Sequence, residues 1–203
     1  MTATPAEKRA LAQRERILTA AQKCFIEHGF HAASMANIAD AADMSPGLIY
    51  RYFGSKSEIV LAIIEQQLQL AREEMHQLDG RRDLALQIAR SFGDTASTAQ
   101  RQTHPALFLE ISAEASRDAV IGAAVRSSDQ VLDAEFHEWL SRSKCEGGLG
   151  IAASKTHLVA LLLQCLWEGM KVREARQPDF DHALLQAALQ EFLPALLTPA
   201  DAA

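Results

Sequence analysis

The segment Ser45-Pro46-Gly47-Leu48-Ile49-Tyr50-Arg51-Tyr52-Phe53-Gly54 limits the fold more than any other part of the sequence. Ser45 is a natural N-cap, Pro46 suits the first helical position, and Gly54 suits a left-handed residue past the end. These marks delimit about two turns of helix, too few to be stable alone in water. Neighbouring elements must therefore hold it. Ile49 and Phe53, four apart, form the natural buried pair, whereas Tyr50 and Tyr52 cannot share a face. A helix this short with three aromatics is a poor core element, and it suits the exposed second helix of a helix-turn-helix.

The same punctuation continues on both sides. Thr4-Pro5-Ala6-Glu7 has the form of a capping box, opening a first helix whose face carries Leu11, Ile17 or Leu18, Ala21 and Phe25, and which Gly29 ends. Ser34 caps a second short helix with Met35, Ile38, Ala39 and Ala42 turned inward, and Asp43-Met44 make the turn before Ser45. Ser55 and Glu58 form a second capping box for a long fourth helix through Ile59, Ile63, Leu68 and Met75 towards Leu78, with Gly80 as its stop. Further helices are expected near 82–99, 105–116, 118–144, 154–176 and 180–197. Thr103-His104-Pro105 opens one of them, Arg117-Asp118 separates two, Glu146–Gly150 is the clearest loop, and Pro178-Asp179 make the last turn. Helical periodicity throughout, with 48% hydrophobic residues in 203, specifies an all-α chain with a sizeable core.

Charge is unevenly distributed. Residues 1–56 hold seven Lys/Arg and five Asp/Glu, a net +2, and the remainder holds thirteen against twenty-one, a net −8. A mildly basic head on an acidic body is compatible with local phosphate contact, which needs a positive face and not a positive protein. The arginines and lysine near the start of the first helix, Lys8, Arg9, Arg14 and Arg16, read as a solvated face or as an arm on DNA backbone.

Several classes are disfavoured. The longest apolar run, Leu158 to Trp167, is interrupted by Gln164 and is far short of the ~20 residues a membrane helix needs. The N-terminus lacks the apolar core of a signal peptide, and Cys24, Cys145 and Cys165 are too scattered for a disulfide framework or zinc site. The expectation is a reduced, cytoplasmic protein without membrane attachment. The seven histidines form no metal set, with His28 and His31 read as structural, and no nucleophile elbow, phosphate-cradling loop or HExxH pattern occurs. Neither an enzyme nor a cofactor is expected.

The run Ile17, Ala20-Ala21, Phe25, Gly29-Phe30, Ala33-Ser34-Met35, Ile38-Ala39, Ala41-Ala42, Met44-Ser45-Pro46-Gly47-Leu48-Ile49-Tyr50, Tyr52-Phe53, Ser55-Lys56 and Glu58 resembles the DNA-binding head of the TetR family of transcriptional regulators. It spans roughly residues 10–60. Asp43 departs from the pattern, where the family usually has glycine, although aspartate tolerates a left-handed conformation better than most residues. The resemblance implies an N-terminal three-helix head with a helix-turn-helix (1–56), joined by a long helix to a C-terminal helical body (57–203) that binds an effector and dimerises.

The expected function is that of a ligand-responsive repressor that binds a near-palindromic double-stranded DNA operator as a homodimer and leaves it when a small molecule binds. Family resemblance places Ser45, Pro46, Gly47 and Leu48 at the groove and Tyr50 and Tyr52 on phosphate or sugar, the alternative for both tyrosines being partial burial with a satisfied hydroxyl. Arg51 can meet a base, a phosphate or solvent. The N-termini at Ser34, Ser45 and Ser55 suit phosphate oxygens, and Lys56, unfavourable at a helix start, is expected to clamp one. Phe92, Phe108, Phe136, Trp139, Trp167 and Met170 are either core or dimer-interface residues or effector contacts. Glu110 and Glu114, flanking Leu107 and Ile111, either line a carboxylate pocket for a cationic or hydroxylated ligand or face solvent, and Asp133 with His137 reads as a surface pair. Leu158, Leu161, Leu162, Cys165, Leu184, Leu185, Ala188 and Phe192 are expected to form the dimer interface. The competing reading is a helical bundle protein or enzyme whose head docks a protein. Ser34, Ser45, Tyr50, Tyr52 and Lys56 together speak against it.

Overall fold

The computed structural model describes residues 4–90, 92, 104–177 and 179–197, and every regular element among them is helical. In chain order these are α1 (Pro5–Ala32), α2 (Met35–Ala41), α3 (Pro46–Tyr52), α4 (Lys56–His76), α5 (Leu84–Arg90), α6 (Pro105–Ala115), α7 (Ala119–Ser141), α8 (Ala153–Arg176) and α9 (His182–Leu197). A short 3-10 turn, Lys144–Glu146, follows α7. None of the described helices is long and apolar enough to cross a membrane.

The chain packs as two compact units. One comprises the residues up to Gln67 together with Ala106–Ser127; the other takes Leu68–Pro105 and the residues from Ser128 onward. This division by packing differs from a boundary at residue 56, because Ile59, Val60 and Ile63 of α4 are buried in the same cluster as Ile17, Phe25, Ile38, Ile49 and Phe53. Leu107 of α6 and Ile121 of α7 complete that core.

In the first unit, α1 begins with the expected reciprocal cap between Thr4 and Glu7. Its apolar face is buried from Ile17 onward, while Leu11 is exposed, since the first three turns carry no buried residue. Gly29 does not simply end α1. It breaks the helix at φ 77°, ψ 159°, a conformation accessible to glycine without strain, and a further turn runs to Ala32. The Phe30 ring then packs on Phe25 at 5.3 Å between centroids. At the expected break after α6, the Asp118 carboxylate accepts the N–H groups of Val120 and Ile121 and so caps α7.

The second unit is built on Leu84, Ala85, Phe92, Trp139, Leu140, Ala160, Leu163, Met170, Leu189 and Leu193. The helix expected at 82–99 is described only as Leu84–Arg90; 93–99, like Thr103 and Pro178, lie outside the described residues. The fourth helix ends at His76, short of Gly80. Gly80 serves close approach instead: a Cβ there would lie 2.0 Å from the Gly148 carbonyl oxygen, and its N–H donates to Gly147 at 2.8 Å. The indole N–H of Trp139 donates to the same Gly147 carbonyl at 3.1 Å, fixing the expected 146–150 loop.

Candidate nucleic-acid interface

Local hydrogen bonds explain why α2, the turn and α3 form where they do. Ser34 caps α2 by accepting the Asn37 N–H at 3.1 Å, and the Asn37 carbonyl oxygen accepts the Ser34 N–H at 2.9 Å. An amide thus does the work usually left to Glu or Gln in a capping box. Asp43 takes the expected left-handed turn with φ 50°. Its carbonyl and carboxylate both accept from one Arg16 nitrogen, at 3.2 and 3.1 Å. Ser45 then caps α3 through the Leu48 N–H at 3.3 Å, with Pro46 in the first turn. Ile49 and Phe53 are buried, as the spacing requires.

Two details of the exit from α3 differ from expectation. Gly54 is not left-handed; the chain leaves through extended Phe53, at φ −141°. Glu58 accepts the N–H of Gly54 at 2.8 Å and not that of Ser55, so Ser55 caps α4 through the Glu58 N–H without a reciprocal bond. A Cβ on residue 54 would sit 3.1 Å from that carboxylate, so a larger residue there would require the end of the Glu58 side chain to shift by a few tenths of an ångström.

What α3 leaves free is its first turn and one flank. Ser45, Pro46, Gly47 and Arg51 are exposed, Leu48 is half-buried, and Tyr50 is 55% exposed with no hydrogen-bond partner for its hydroxyl among the described residues. A Cβ on Gly47 would meet nothing within 4 Å, and its φ is not positive. Nothing among the described residues requires glycine there. Tyr52 is half-buried against the core, and the Arg51 guanidinium lies 5.4 Å from its ring centroid. Arg14 of α1 donates to the Tyr52 carbonyl at 3.2 Å and lies over the Phe53 ring at 4.3 Å.

Lys56 is where the structure corrects the sequence reading most. Its ammonium is engaged within the chain, donating to the carbonyls of Phe30 (2.5 Å), Ala33 (2.9 Å) and His31 (3.4 Å), and it rests over the Phe30 ring at 4.3 Å. Burial pushes its pKa down, and the Glu114 charge opposes that shift. The charge that is unfavourable at the start of α4 is favourable at the end of α1, whose final carbonyls it satisfies. It is a structural staple rather than a free phosphate clamp.

Glu110 and Glu114 require a similar correction, since both are engaged by groups of their own unit and neither is an idle rim residue. Glu110 accepts the Phe30 N–H at 2.8 Å, catching a donor that the break at Gly29 leaves free. Glu114 is buried and pairs with His31 at 3.4 Å and Arg117 at 3.5 Å. They and Phe108 belong to the first unit, whereas Phe92, Phe136, Trp139, Trp167 and Met170 belong to the second. Of these, Phe92, Trp139 and Met170 are buried core residues. Phe136 and Trp167 are half-buried; Phe136 stacks on Trp139 at 5.7 Å, and Trp167 meets Phe92 edge-on at 6.4 Å.

Sequence reasoning missed Lys171 beside this aromatic group. It is buried, lies 4.5 Å from the Phe92 ring centroid and 3.5 Å from the Glu174 carboxylate, and burial pushes its pKa down. Only the Trp167–Lys171 spacing hinted at it. Asp133 and His137 do pair, at 3.4 Å.

The exposed apolar residues concentrate on α8 and α9. Leu158, Leu161 (58%), Leu162, Leu184 and Phe192 (67%) are all open, as are Cys165 and Ala188. Leu185 is the exception: it turns inward against the core of its own unit and is not part of an open face.

The model of the tetR family of bacterial regulatory proteins matches residues 17–63, from the buried face of α1 into the first half of α4. The chain is 30% identical over 137 residues to the HTH-type transcriptional repressor AcnR of Corynebacterium glutamicum, covering 66% of this chain and 67% of AcnR. It is 33% identical over 127 residues to the HTH-type transcriptional regulator UidR of Escherichia coli K12, covering 59% of this chain and 60% of UidR. The match therefore spans less than two thirds of UidR. In three dimensions the chain resembles Salmonella enterica GusR with a TM-score of 0.70 and 27% identity, over 92% of this chain and 96% of that one. With a capped helix-turn-helix in the matched region and likeness across most of its length, the chain belongs to the tetR family of bacterial regulatory proteins, the helix-turn-helix regulators of transcription.

Proposed function

We propose that this protein is a transcriptional repressor that binds a near-palindromic DNA operator as a homodimer in the cytoplasm and is released by a small-molecule effector. The observation that carries the reading is the first turn of α3. Ser45, Pro46 and Gly47 stand open, with Leu48 half-exposed beside them, on a helix whose Ile49 is fully packed, and Gly47 answers no need among the described residues. Such a turn suits entry into a major groove, with Gly47 allowing close backbone approach and Leu48 suited to a thymine methyl. The capped N-termini at Ser34 and Ser45 suit phosphate oxygens, and Tyr50 and Tyr52 suit phosphate or sugar. With few bidentate base-reading groups here, the shape of the duplex carries much of the specificity.

The exposed apolar face of α8 and α9 supports pairing with a second copy, which would set two α3 helices one DNA turn apart, ~34 Å. The division of labour is residues 1–56 for DNA and 57–203 for effector binding and dimerisation. Phe136 and Trp167, half-buried in the second unit, are the best remaining aromatic contacts for an effector. Continuous α4 is the lever, and coupling of this kind is typically worth about 1–3 kcal/mol. AcnR is itself named a repressor, which favours that direction of control.

The test is selection of bound duplexes from a random pool, followed by affinity measurements at two salt concentrations. The expected product is a near-palindrome with half-sites ~10 base pairs apart, bound more weakly at higher salt. Replacing Leu48 by Ala should shift the selected sequence. No enrichment from the pool, or binding indifferent to salt, would refute the proposal.

A further inference from the structure

Burial of Ile49 and Phe53 fixes how closely α3 approaches the rest of its unit, but a seven-residue helix, about 10 Å long, can still tilt or turn over one apolar contact. Base reading tolerates little of that, since a binding constellation must hold its geometry to within roughly 10–20°. Directional contacts are needed at both ends of the helix. In this chain they come from one turn of α1.

Arg14 and Arg16 are two residues apart, so their side chains leave α1 about 200° apart around its axis and reach in different directions. The Arg14 guanidinium donates to the carbonyl of Tyr52, the last residue of α3, at 3.2 Å and covers Phe53. The Arg16 guanidinium donates to the carbonyl and carboxylate of Asp43, two residues before the cap of α3, at 3.2 and 3.1 Å. Asp43 sits at φ 50°, where glycine would be at ease and aspartate is strained, and the Arg16 contacts hold it there. Both arginines thus direct donors onto protein oxygens that bracket α3.

We propose that Arg14 and Arg16 are positioning residues that clasp the two ends of α3 and set its orientation for DNA reading, and that neither is a phosphate contact. The proposal rests on α3 being the DNA-reading helix. Asp43 and Arg16 form one device: an aspartate in the turn that a guanidinium from α1 secures. A positioning role predicts a signature different from that of a backbone contact. Loss of a phosphate-binding arginine weakens binding to every sequence and lowers the slope of log affinity against log salt by about 0.9. Loss of a clasp blunts discrimination and leaves that slope alone.

The experiment uses the full chain with the duplex that the wild type selects from a random pool and a scrambled duplex of equal length. Arg14→Ala, Arg16→Ala, Asp43→Gly and the Arg16→Ala/Asp43→Gly pair are titrated against both duplexes across a salt series, with circular dichroism confirming folding. Each arginine variant should lose up to about fivefold on the selected duplex, the range of an exposed ion pair, and almost nothing on the scrambled one, at an unchanged slope. Arg16→Ala should cost less when residue 43 is already glycine, so the double-mutant cycle is non-additive. Equal losses on both duplexes with a flatter slope would make the arginines phosphate contacts and overturn the proposal. Unchanged discrimination in both single variants, or strict additivity at 16 and 43, would overturn it as well. A wild type that selects no duplex at all would instead defeat the underlying reading of α3, a result distinct from any of these.

Discussion

Lys56 begins α4 and closes α1, and a structural staple and a phosphate clamp have different measurable consequences. Three carbonyls and an aromatic face surround its ammonium. Charge-assisted bonds of this kind contribute about 1.5–3 kcal/mol each when well sequestered, and partial exposure reduces that sum. Lys56→Ala should therefore lower unfolding free energy by about 2 kcal/mol, read from urea denaturation, while the salt slope of DNA binding stays as in the wild type. A flattened slope with unchanged stability would return Lys56 to the DNA face. The sequence showed a lysine misplaced for its own helix, which is a sound observation. Its acceptors lie 23–26 residues upstream, at a break that only Gly29 marks, and no local pattern points to them. Glu110 hid its task in the same way, since the N–H it accepts is 80 residues away.

Among the elements, α2 and α3 were legible because their boundaries are written in neighbouring residues. Ser45, Pro46 and the Ile49–Phe53 pair specify α3 without reference to anything distant. The cap is testable: Ser45→Ala should cost about 1 kcal/mol, and hydrogen exchange at the Leu48 and Ile49 amides should accelerate relative to those of α1. Unaltered exchange in α3 would show that burial of Ile49 alone maintains the helix. Glycines were harder to read. Gly29 is required by its φ and Gly80 by the Gly148 carbonyl beside it, whereas a Cβ at Gly54 would meet the movable end of the Glu58 side chain. A sequence shows the glycine but does not distinguish a backbone angle from a close neighbour. For α4 the apolar period foretold the helix, and its end slipped from Gly80 to His76 for that reason.

For the molecule as a whole, the open leucines of α8 and α9 carry the strongest prediction. Leu161 and Phe192 are more than half exposed, and two such side chains in water forgo about 1.5–3 kcal/mol each relative to burial. With α8 and α9 as the proposed dimer interface, Leu161→Glu with Phe192→Glu should convert the protein from dimer to monomer in sedimentation equilibrium at micromolar concentration, with helicity unchanged and operator affinity lost. A double variant that sediments like the wild type would move the interface elsewhere. Periodicity alone proposed these positions correctly as apolar, but it did not separate Leu184, which is open, from Leu185, which faces its own core.

The first compact unit also bears on how the protein is made. Its core joins Ile17 and Phe25 to Leu107 and Ile121, so its parts are separated along the chain by residues 68–105, which belong to the other unit. On the ribosome, where domains tend to fold in order of synthesis, α1 to α4 emerge well before α6 and α7 arrive to cover them. Until residue 127 is clear of the exit tunnel, the core that Ile17 and Phe25 begin lacks Leu107 and Ile121. A gene fragment ending at residue 67 would leave it in that state permanently.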